Sequence, residues 1–318
     1  MKTRLLACIV VLSSLALIIM GCSNQGNSNN ENDSTSEVKT DDLLIGMSFQ
    51  EMNNPYFDSM EEAFEEAADS IGADTVTADA QHDVSKQTND IEDMIQQDID
   101  ILLINPADSE GVEGAVDSAK DAGIIVVAID AEAEGDIDSF VGSKNYDAGY
   151  EAGEKAAEDL DGEGKVAVLD GIPVVPILDR VEGFEDSIEE NSDIDIVDTQ
   201  NGEQERDKAL SVAEDMLQSN ELDAIFSVND EGSMGVLEAI ESSDQDTALY
   251  SVDGHPDAIE AILEDGPFKA TVAQFPQDQV KTGMAMALSK LWGSEKVPDE
   301  VPIDVELQTI DNAEDFSW

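Results

Sequence analysis

Short apolar runs recur along the chain, separated by polar turns and by longer segments with apolar residues at helical spacing. Residues 101–104 are four consecutive apolar residues, and residues 124–129 are six more. Runs of this length fit strands that are buried on both faces of a parallel sheet. Between such runs lie amphipathic segments such as residues 55–71, in which Met60 and Phe64 recur on one face. The pattern therefore predicts alternating strands and helices.

The alternation runs in two rounds from residue 43 to about residue 307. Repeated βα units imply parallel sheets with helices on both faces, and these units are too many for one sheet. The predicted fold class is α/β, with two doubly wound parallel-sheet domains that divide near residues 143–146. The segment 301–307 predicts one last strand, and the polar residues after it predict a peripheral tail. Strands are predicted over residues 43–49, 73–78, 101–104, 124–129, 139–142, 165–169, 195–199, 224–228, 248–252 and 269–273, and helices over residues 55–71, 84–97, 110–122, 147–160, 178–190, 204–218, 232–240, 256–263 and 277–292.

The first residues have the features of an export signal. Lys2 and Arg4 precede an apolar run over residues 5–20 that is short for a membrane span, so residues 1–21 are predicted to be a signal peptide. The run ends Ile19-Met20-Gly21-Cys22, which resembles a bacterial lipobox with Cys22 as the lipidated first mature residue. A signal peptide without lipidation is the alternative. With Cys22 as anchor, residues 22–42, rich in Asn, Ser, Glu and Asp, predict a disordered tether that holds the folded part at the outer face of the cell membrane.

Composition narrows the choice of partners. The 74 acidic residues against 15 basic ones give a formal net charge of -59, which argues against nucleic acid or an anionic lipid surface as a partner. Because the acidic residues are spread over the polar helix faces, they indicate a solvated halophilic surface, tolerated best where salt screens it. The two cysteines, Cys8 and Cys22, leave the body of the chain without disulfide or thiol chemistry. The acidic residues 130–138 lack the ligand spacing of a calcium loop, so the sequence predicts no metal and no cofactor.

Polar side chains follow the apolar strands at their C-terminal ends, where open parallel α/β sheets bind ligands. A single Asn or Asp at such a point is ordinarily a helix cap or turn residue, and Asn54 before Pro55 suits a cap well. Six at the same topological point predict a polar rim for a neutral, polyhydroxylated ligand, since carboxylates accept from hydroxyls and amides both donate and accept. The six are Asn54, Asn105, Asp130, Asn229, Asp253 and Gln274.

Three larger side chains complete the candidate site. Tyr56 and Phe57 are adjacent on a predicted helix and cannot both face the core squarely, so we expect at least one ring at the cleft, against the apolar face of a sugar. Arg180 is one of few arginines, and its planar guanidinium suits a bridge between ligand hydroxyls and a nearby carboxylate.

As an ordered set, these segments resemble the ribose/galactose-type sugar-binding proteins of ABC importers, the periplasmic binding proteins of the first structural class. The resemblance runs from about residue 43 to residue 307. It implies two Rossmann-like lobes, 43–143 plus 275–303 and 144–274 plus 304–311, that close on a sugar by hinge motion. The three crossovers of the hinge are expected near residues 143–145, 274–276 and 301–305. The matching segments are residues 47–57, 101–109, 126–130, 180–184, 226–230, 252–254 and 273–276.

The resemblance to the ribose-binding branch implies ligand contacts residue by residue, with three departures. Ala131 stands where that branch has an arginine, Gln204 where it has a ring-stacking phenylalanine, and Val252 where it has a phenylalanine before the aspartate. Losing these groups removes charge-assisted hydrogen bonds and one wall around a flat sugar, so we expect a pentose, hexose or polyol other than D-ribose. The implied ligand-contacting residues are Asn54, Tyr56, Phe57, Asn105, Asp130, Ser143, Arg180, Gln204, Asn229, Asp253 and Gln274.

The resemblance implies a monomeric lipoprotein, without enzymatic activity, that passes its sugar to the permease subunits of an ABC importer. A sensor module that presents sugar to a membrane receptor or kinase would use the same binding chemistry, and the sequence leaves this alternative open. A transcription repressor core shares the fold but needs a DNA-reading helix pair where this chain has a signal peptide. An enzyme with Asp130 and Asp253 as paired carboxylates is the least supported class, and neither His82 nor His255 has an evident partner base.

Overall fold

Twelve strands and nine α-helices are described in the computed structural model, which covers residues 40–318. The predicted signal peptide, Cys22 and nearly all of the predicted tether lie outside the described residues. The strands are β1 (Leu44–Phe49), β2 (Asp74–Asp79), β3 (Ile101–Ile104), β4 (Ile125–Ile129), β5 (Ser139–Ser143), β6 (Glu163–Asp170), β7 (Asp193–Asn201), β8 (Ala224–Ser227), β9 (Ala248–Asp253), β10 (Phe268–Ala273), β11 (Glu300–Ile303) and β12 (Glu306–Thr309). The helices are α1 (Pro55–Ile71), α2 (Val84–Gln96), α3 (Glu113–Asp121), α4 (Asn145–Asp159), α5 (Val175–Asn191), α6 (Arg206–Ser219), α7 (Asp230–Ser242), α8 (Pro256–Leu263) and α9 (Pro276–Leu291), with 3-10 turns at Thr40–Asp42 and Ala313–Asp315.

The described strands form two six-stranded sheets. The first has the order β11-β5-β4-β3-β1-β2 and is parallel throughout, and the second has the order β12-β10-β9-β8-β6-β7. In the second sheet only β12 runs antiparallel to its neighbour, β10. We call the first sheet, with the helices packed on it, the first lobe. The second sheet with its helices is the second lobe. The predicted fold class, two doubly wound α/β lobes, is confirmed.

The chain passes from one sheet to the other three times. It leaves the first sheet after β5, returns after β10, and leaves again between β11 and β12. Helix α9 accordingly packs on α1, β4 and β5, although the strand before it belongs to the second sheet. The single strand predicted over residues 301–307 was wrong, because this segment divides into β11 and β12, which pair with different sheets.

Strand β3 shows why the apolar runs form the centre of each sheet. All four of its side chains are fully buried. Ile101 and Leu103 pack in one core on one face of the sheet, whereas Leu102 and Ile104 pack in a second core on the other face. Burial of each such side chain stabilises the fold by about 1.5–3 kcal/mol. A run without polar residues is therefore required where helices cover both faces.

Helix boundaries follow capping residues. Asn54 Oδ1 accepts the backbone N–H of Tyr56 at the start of α1, and Gly72, with φ +77°, ends that helix. The helix predicted from residue 204 begins instead at Arg206, because Glu203 and Gln204 have left-handed backbone angles of φ +56° and +60°. Within residues 40–318, no helix is both long and apolar enough to cross a membrane.

Candidate ligand-binding site

Asp130 lies at the end of β4 and accepts two side-chain hydrogen bonds. Its Oδ1 accepts the hydroxyl of Tyr56 at 2.8 Å, and its Oδ2 accepts Nδ2 of Asn105 at 3.1 Å. Asn105, directly after β3, is fully buried, and its Oδ1 accepts the backbone N–H of Gln50 at 3.2 Å. Gln87 of α2 holds the turn after Asn105 by donating to its carbonyl oxygen at 2.9 Å. We call Asp130, Tyr56 and Asn105 the first-lobe arm.

Tyr56 and Phe57 are adjacent in the first turn of α1 and stand edge to face. Both are 4% exposed, with ring centroids 5.4 Å apart. Both rings pack in the core of the first lobe, and Tyr56 in addition donates its hydroxyl to Asp130. Asn54 caps this helix by accepting the backbone N–H of Tyr56 at 2.9 Å.

Gln279 links Tyr56 to the strand that leads out of the first lobe. This fully buried residue of α9 donates from Nε2 to the Tyr56 hydroxyl and to Ser143 Oγ, both at 2.8 Å. Its Oε1 is buried without a hydrogen-bond partner among the described residues. Sequence reasoning missed Gln279, because it lies within a helix rather than at a strand end.

Asp253 ends β9 and is the centre of a second network. Its Oδ1 accepts Nη1 of Arg180 at 3.2 Å and Nε2 of Gln274 at 2.7 Å, and its Oδ2 accepts the backbone N–H of Asp230 at 3.2 Å. Gln274 Oε1 is buried without a hydrogen-bond partner among the described residues. We call Asp253, Arg180 and Gln274 the second-lobe arm.

Close helix packing positions Arg180. Helices α4 and α5 approach so closely that a Cβ on Gly149 would lie 1.9 Å from the carbonyl oxygen of Arg180. The guanidinium is 4% exposed and donates to Asn145 Oδ1 and to the Val228 carbonyl oxygen, both at 2.8 Å. Asn145 is a second residue that the sequence did not single out. Glycine is the residue type that permits this approach.

Asn229 and Gln204 are neighbours in the second lobe. Asn229 caps α7 by accepting the backbone N–H of Gly232 at 3.2 Å, and its Nδ2 lies 3.5 Å from the carbonyl oxygen of Gln204. The side chain of Gln204 accepts the backbone N–H of Ile172 at 3.3 Å. Gln204 therefore lies beside the strand ends, but its side-chain oxygen is already hydrogen-bonded within a turn of its own lobe.

Burial raises the pKa values of the site carboxyl groups. Desolvation raises the pKa of Asp130 to about 6, against the lowering effect of the Tyr56 hydrogen bond and the Arg180 charge. Burial also raises the pKa of Asp253, and the Arg180 charge opposes it. The charges of Arg180 and Asp253 both act on Asp130, so the two arms face each other within electrostatic reach. At neutral pH the arrangement presents hydrogen-bond acceptors from both lobes beside one guanidinium.

A model of the periplasmic binding protein domain matches residues 45–295, most of the chain. The chain belongs to this family. A relative, the ribose import binding protein of Bacillus subtilis, is 38% identical over 271 residues, which are 84% of this chain and 88% of that protein. The D-ribose/D-allose-binding protein of Pseudomonas aeruginosa is 32% identical over 222 residues, 66% of this chain and 69% of that protein.

Solved structures agree with this assignment. An ABC transporter periplasmic solute binding protein from Actinobacillus succinogenes with bound D-allose has a TM-score of 0.81 and 26% identity, and the match covers 86% of this chain and all of that one. The Caulobacter myo-inositol binding protein bound to myo-inositol has a TM-score of 0.80 and 27% identity, over 86% of this chain and 96% of that one. The fold of this binding protein is thus that of family members solved with D-allose and with myo-inositol bound.

The three departures from the ribose-binding branch lie in different environments. Ala131 follows Asp130 and is 6% exposed. Val252 is fully buried and packs in the core of the second lobe. The side chain of Gln204 accepts a backbone N–H in a turn and supplies no ring. Of the three, Ala131 and Gln204 are the ones beside the strand-end polar groups of this binding protein.

Asp230 holds the turn that follows Asp253 in the second-lobe arm. It is fully buried, and its Oδ2 accepts the backbone N–H groups of Gly254 and His255, both at 2.8 Å, in the turn that follows Asp253. Its Oδ1 accepts the Thr271 hydroxyl at 2.9 Å. Burial raises its pKa to about 8. The position of Asp230 directly after Asn229 was the one feature of the sequence that could have indicated this role. An acidic residue is common at the start of a helix, so the position did not distinguish it.

The prediction of a polar, peripheral tail was wrong. Phe316 packs against the core of the second lobe, and Trp318 packs against the core of the first. Trp318 Nε1 donates to the carbonyl oxygen of Asp253 at 3.2 Å. The isolated apolar residues of the tail were the available signal, and they carry no periodicity.

A cavity of about 660 Å³ lies between the lobes, and none of the residues of the two arms lines it. Glu132 and Phe140 line it from the first lobe, and Val174 and Val175 line it from the second. Among residues 40–318, no group of three or more His, Cys, Asp or Glu side chains is arranged to hold a metal ion.

Proposed function

We propose that this chain is the sugar-binding subunit of an ABC importer and that it holds a monosaccharide or polyol between its two lobes. The observation that carries the proposal is the placement of Asp130 and Asp253, one buried carboxyl group in each lobe. The two buried carboxyl groups end strands of different sheets, and each is oriented by donors of its own lobe. An acceptor from each lobe binds hydroxyl groups on opposite sides of one small ligand.

The contacts expected for the ligand follow from this geometry. Hydroxyls donate to Asp130 and Asp253, while Asn105, Arg180 and Gln274 surround these carboxylates. The arms belong to different lobes, so a ligand that touches both binds the closed form more tightly than the open form. Binding therefore shifts the equilibrium towards the closed form. Relatives and structural neighbours are named for neutral, polyhydroxylated ligands, namely D-ribose, D-allose and myo-inositol. The same ligand class is proposed here.

The preferred sugar is proposed to differ from D-ribose. Ala131 offers no hydrogen-bond donor from its side chain, and Gln204 offers no ring face, so a flat pentose has fewer partners than in the ribose-binding branch. A larger ring or a polyol, which carries more hydroxyl groups, compensates by binding other donors and acceptors of the two arms.

A panel of ligands tests both the proposed sugar binding and the proposed preference for a ligand other than D-ribose. The protein is titrated in about 1 M salt, which screens its surface charge, with D-ribose, D-allose, D-arabinose, xylitol and myo-inositol, and both the thermal midpoint and the heat of binding are measured. We expect at least one compound to raise the midpoint and to bind more tightly than D-ribose. No binding in the panel would remove the proposed function, whereas D-ribose as the tightest ligand would remove only the stated preference.

The membrane anchor belongs to the same proposal. Lipid on Cys22 and a tether up to residue 42 would keep the folded part at the outer face of the membrane, next to its permease, and family membership supports an extracytoplasmic location. Cys22→Ala is expected to release the protein from the membrane fraction into the medium or periplasm, and unchanged fractionation would refute the anchor. Size-exclusion chromatography with light scattering is expected to show a monomer.

The importer role is tested with ABC permease and ATPase subunits from the same organism, chosen among the genes that neighbour this one. In proteoliposomes, the sugar-loaded protein is expected to stimulate ATP hydrolysis more than the sugar-free protein does. Stimulation of a neighbouring receptor or kinase instead would establish the sensor role.

A further inference from the structure

The tail after β12 is anchored in the second lobe. Ala313 is 1% exposed and lies in the core of that lobe, against which Phe316 also packs. The ring of Phe316 stands 6.1 Å from that of Phe275, which lies in the crossover between β10 and α9. The tail therefore follows the second lobe as far as the hinge.

Trp318 then reaches across to the first lobe. Its ring stands edge to face with Tyr56, with the centroids 5.8 Å apart, and packs against the core of the first lobe. On its other side it stands edge to face with His255 at 5.9 Å, and its Nε1 donates to the backbone carbonyl of Asp253 at 3.2 Å. One side chain thus contacts Tyr56 of the first-lobe arm and Asp253 of the second-lobe arm.

We propose that Trp318 is a positioning residue of the sugar site, which holds Tyr56 and Asp253 at the spacing that the structure shows; this inference rests on the proposed function, in which the arms close on the sugar. Rotation about the crossovers would change the spacing between the two arms, so the indole would keep both contacts only when the arms lie this close. A contact made only in the closed form raises the fraction of protein that is competent to bind. The indole also fixes the ring whose hydroxyl binds Asp130.

Trp318 brings an aromatic ring to the arms from a distant part of the chain, in edge-to-face contact with Tyr56. The consequence is a site whose affinity depends on a residue 65 positions beyond Asp253 in sequence.

Two single-tryptophan proteins test the proposal. The chain has two tryptophans, and Trp292 is 59% exposed at the end of α9, so Trp292→Phe is the matched control and leaves Trp318 as the only tryptophan, which is excited selectively. On addition of the tightest-binding sugar of the panel, we expect the emission of the W292F protein to shift to the blue and its quenching by acrylamide to fall. The W318F protein, in which only Trp292 emits, is expected to show neither change.

Affinity is measured on the same proteins and on Trp318→Ala. We expect the Kd for that sugar to rise about tenfold in W318A, from the loss of the ring contacts and the hydrogen bond. The Kd should rise about threefold in W318F, which keeps a ring and loses the donor, and should stay unchanged in W292F. A lowered thermal midpoint with an unchanged Kd in both Trp318 variants would overturn the proposal, because it would indicate packing without positioning.

A ligand-free measurement separates this inference from the proposed function. Small-angle scattering of the sugar-free proteins is expected to give a larger radius of gyration for W318A than for W292F. If no compound of the panel binds W292F or the wild-type chain, the proposed function fails, and the scattering comparison still decides whether Trp318 holds the lobes together. Equal radii of gyration would then overturn the inference.

Discussion

Arg180 and Asp253 form a buried ion pair, with Nη1 3.2 Å from Oδ1 and side chains that are 5% and 10% exposed. Removing two charges from water costs several kcal/mol for each ion unless further hydrogen bonds compensate. Asp253 accepts from Gln274 as well, and Arg180 donates to Asn145 and to a backbone carbonyl. The pair is therefore a rigid part of the second lobe that is stable only as a whole.

Removing one member of this pair is expected to destabilise the protein strongly. Arg180→Met leaves Asp253 buried without its counter-charge and should lower the free energy of unfolding by about 3–5 kcal/mol, measured by urea denaturation at constant salt. In the double variant R180M/D253N the total cost should be smaller than the sum of the single costs. Additive costs would show that the two groups do not interact. Lys281→Met, which breaks an exposed pair with Glu66, is the control and should cost less than about 1 kcal/mol.

Gly149→Ala is expected to displace Arg180. The new Cβ would lie 1.9 Å from the Arg180 backbone oxygen, so α4 and α5 must separate, at a cost of about 3 kcal/mol. Sugar affinity, measured by calorimetry, should fall together with stability. Gly114→Ala in α3 is the matched control, because its Cβ meets nothing within 4 Å, and it should leave stability unchanged or raise it by up to about 1 kcal/mol. Equal effects of the two substitutions would contradict the role of the close helix approach.

The stability of the sugar-free protein is expected to rise as the pH falls from 7 to about 4.5. The pKa of Asp130 is raised from 3.8 to about 6, so within this window the folded protein binds more protons than the unfolded chain, and stability falls as the pH rises. A shift of this size corresponds to roughly 2–3 kcal/mol. Thermal midpoints measured in about 1 M salt, where surface repulsion is screened, provide the test. Asp130→Asn should reduce the slope, and an unchanged slope would contradict the assignment.

Sugar affinity is expected to depend on pH in the opposite direction. A hydroxyl that donates to Asp130 requires the ionised carboxylate, so binding below pH 6 must first remove a proton. The Kd should therefore be constant above about pH 7 and rise by up to about tenfold for each pH unit below 6. Calorimetry in buffers of different ionisation enthalpy measures the proton released on binding at pH 5.5. A Kd that is independent of pH would mean that Asp130 does not accept from the ligand.

Salt is expected to stabilise the fold. With a net charge of -59 the surface repels itself, and raising the salt concentration from about 0.1 M to 1 M shortens the Debye length from about 10 Å to 3 Å. The thermal midpoint should rise by roughly 10 °C, the shift that a few kcal/mol produces in a chain of this size. Sucrose, which does not screen charge, is the control. Equal effects of salt and sucrose would argue against an acidic surface adapted to high salt.

Most of the fold was predictable because local signals agreed with the tertiary structure. The helix predicted over residues 55–71 has those boundaries, since Asn54, Pro55 and Gly72 mark its ends. The strands at residues 101–104 and 124–129 were predictable because short, uninterrupted apolar runs are typical of strands buried on both faces of a parallel sheet. The segment 301–307 was not predictable in the same way, because its short strands β11 and β12 lie at sheet edges and are defined by their partners.

The candidate site likewise has a part that the sequence predicts and a part that it does not. The sequence by itself determined which polar residues end the strands, because a parallel α/β sheet brings those ends to one edge. Only the tertiary structure decided what orients them, because the orienting contacts join distant parts of the chain. Gln279 and Tyr56 are 223 positions apart, Trp318 and Asp253 are 65 apart, and Asn145 and Arg180 are 35 apart. No local pattern records such a contact, since hydrogen bonds and ring packing depend on where the backbone places two groups and not on their separation along the chain.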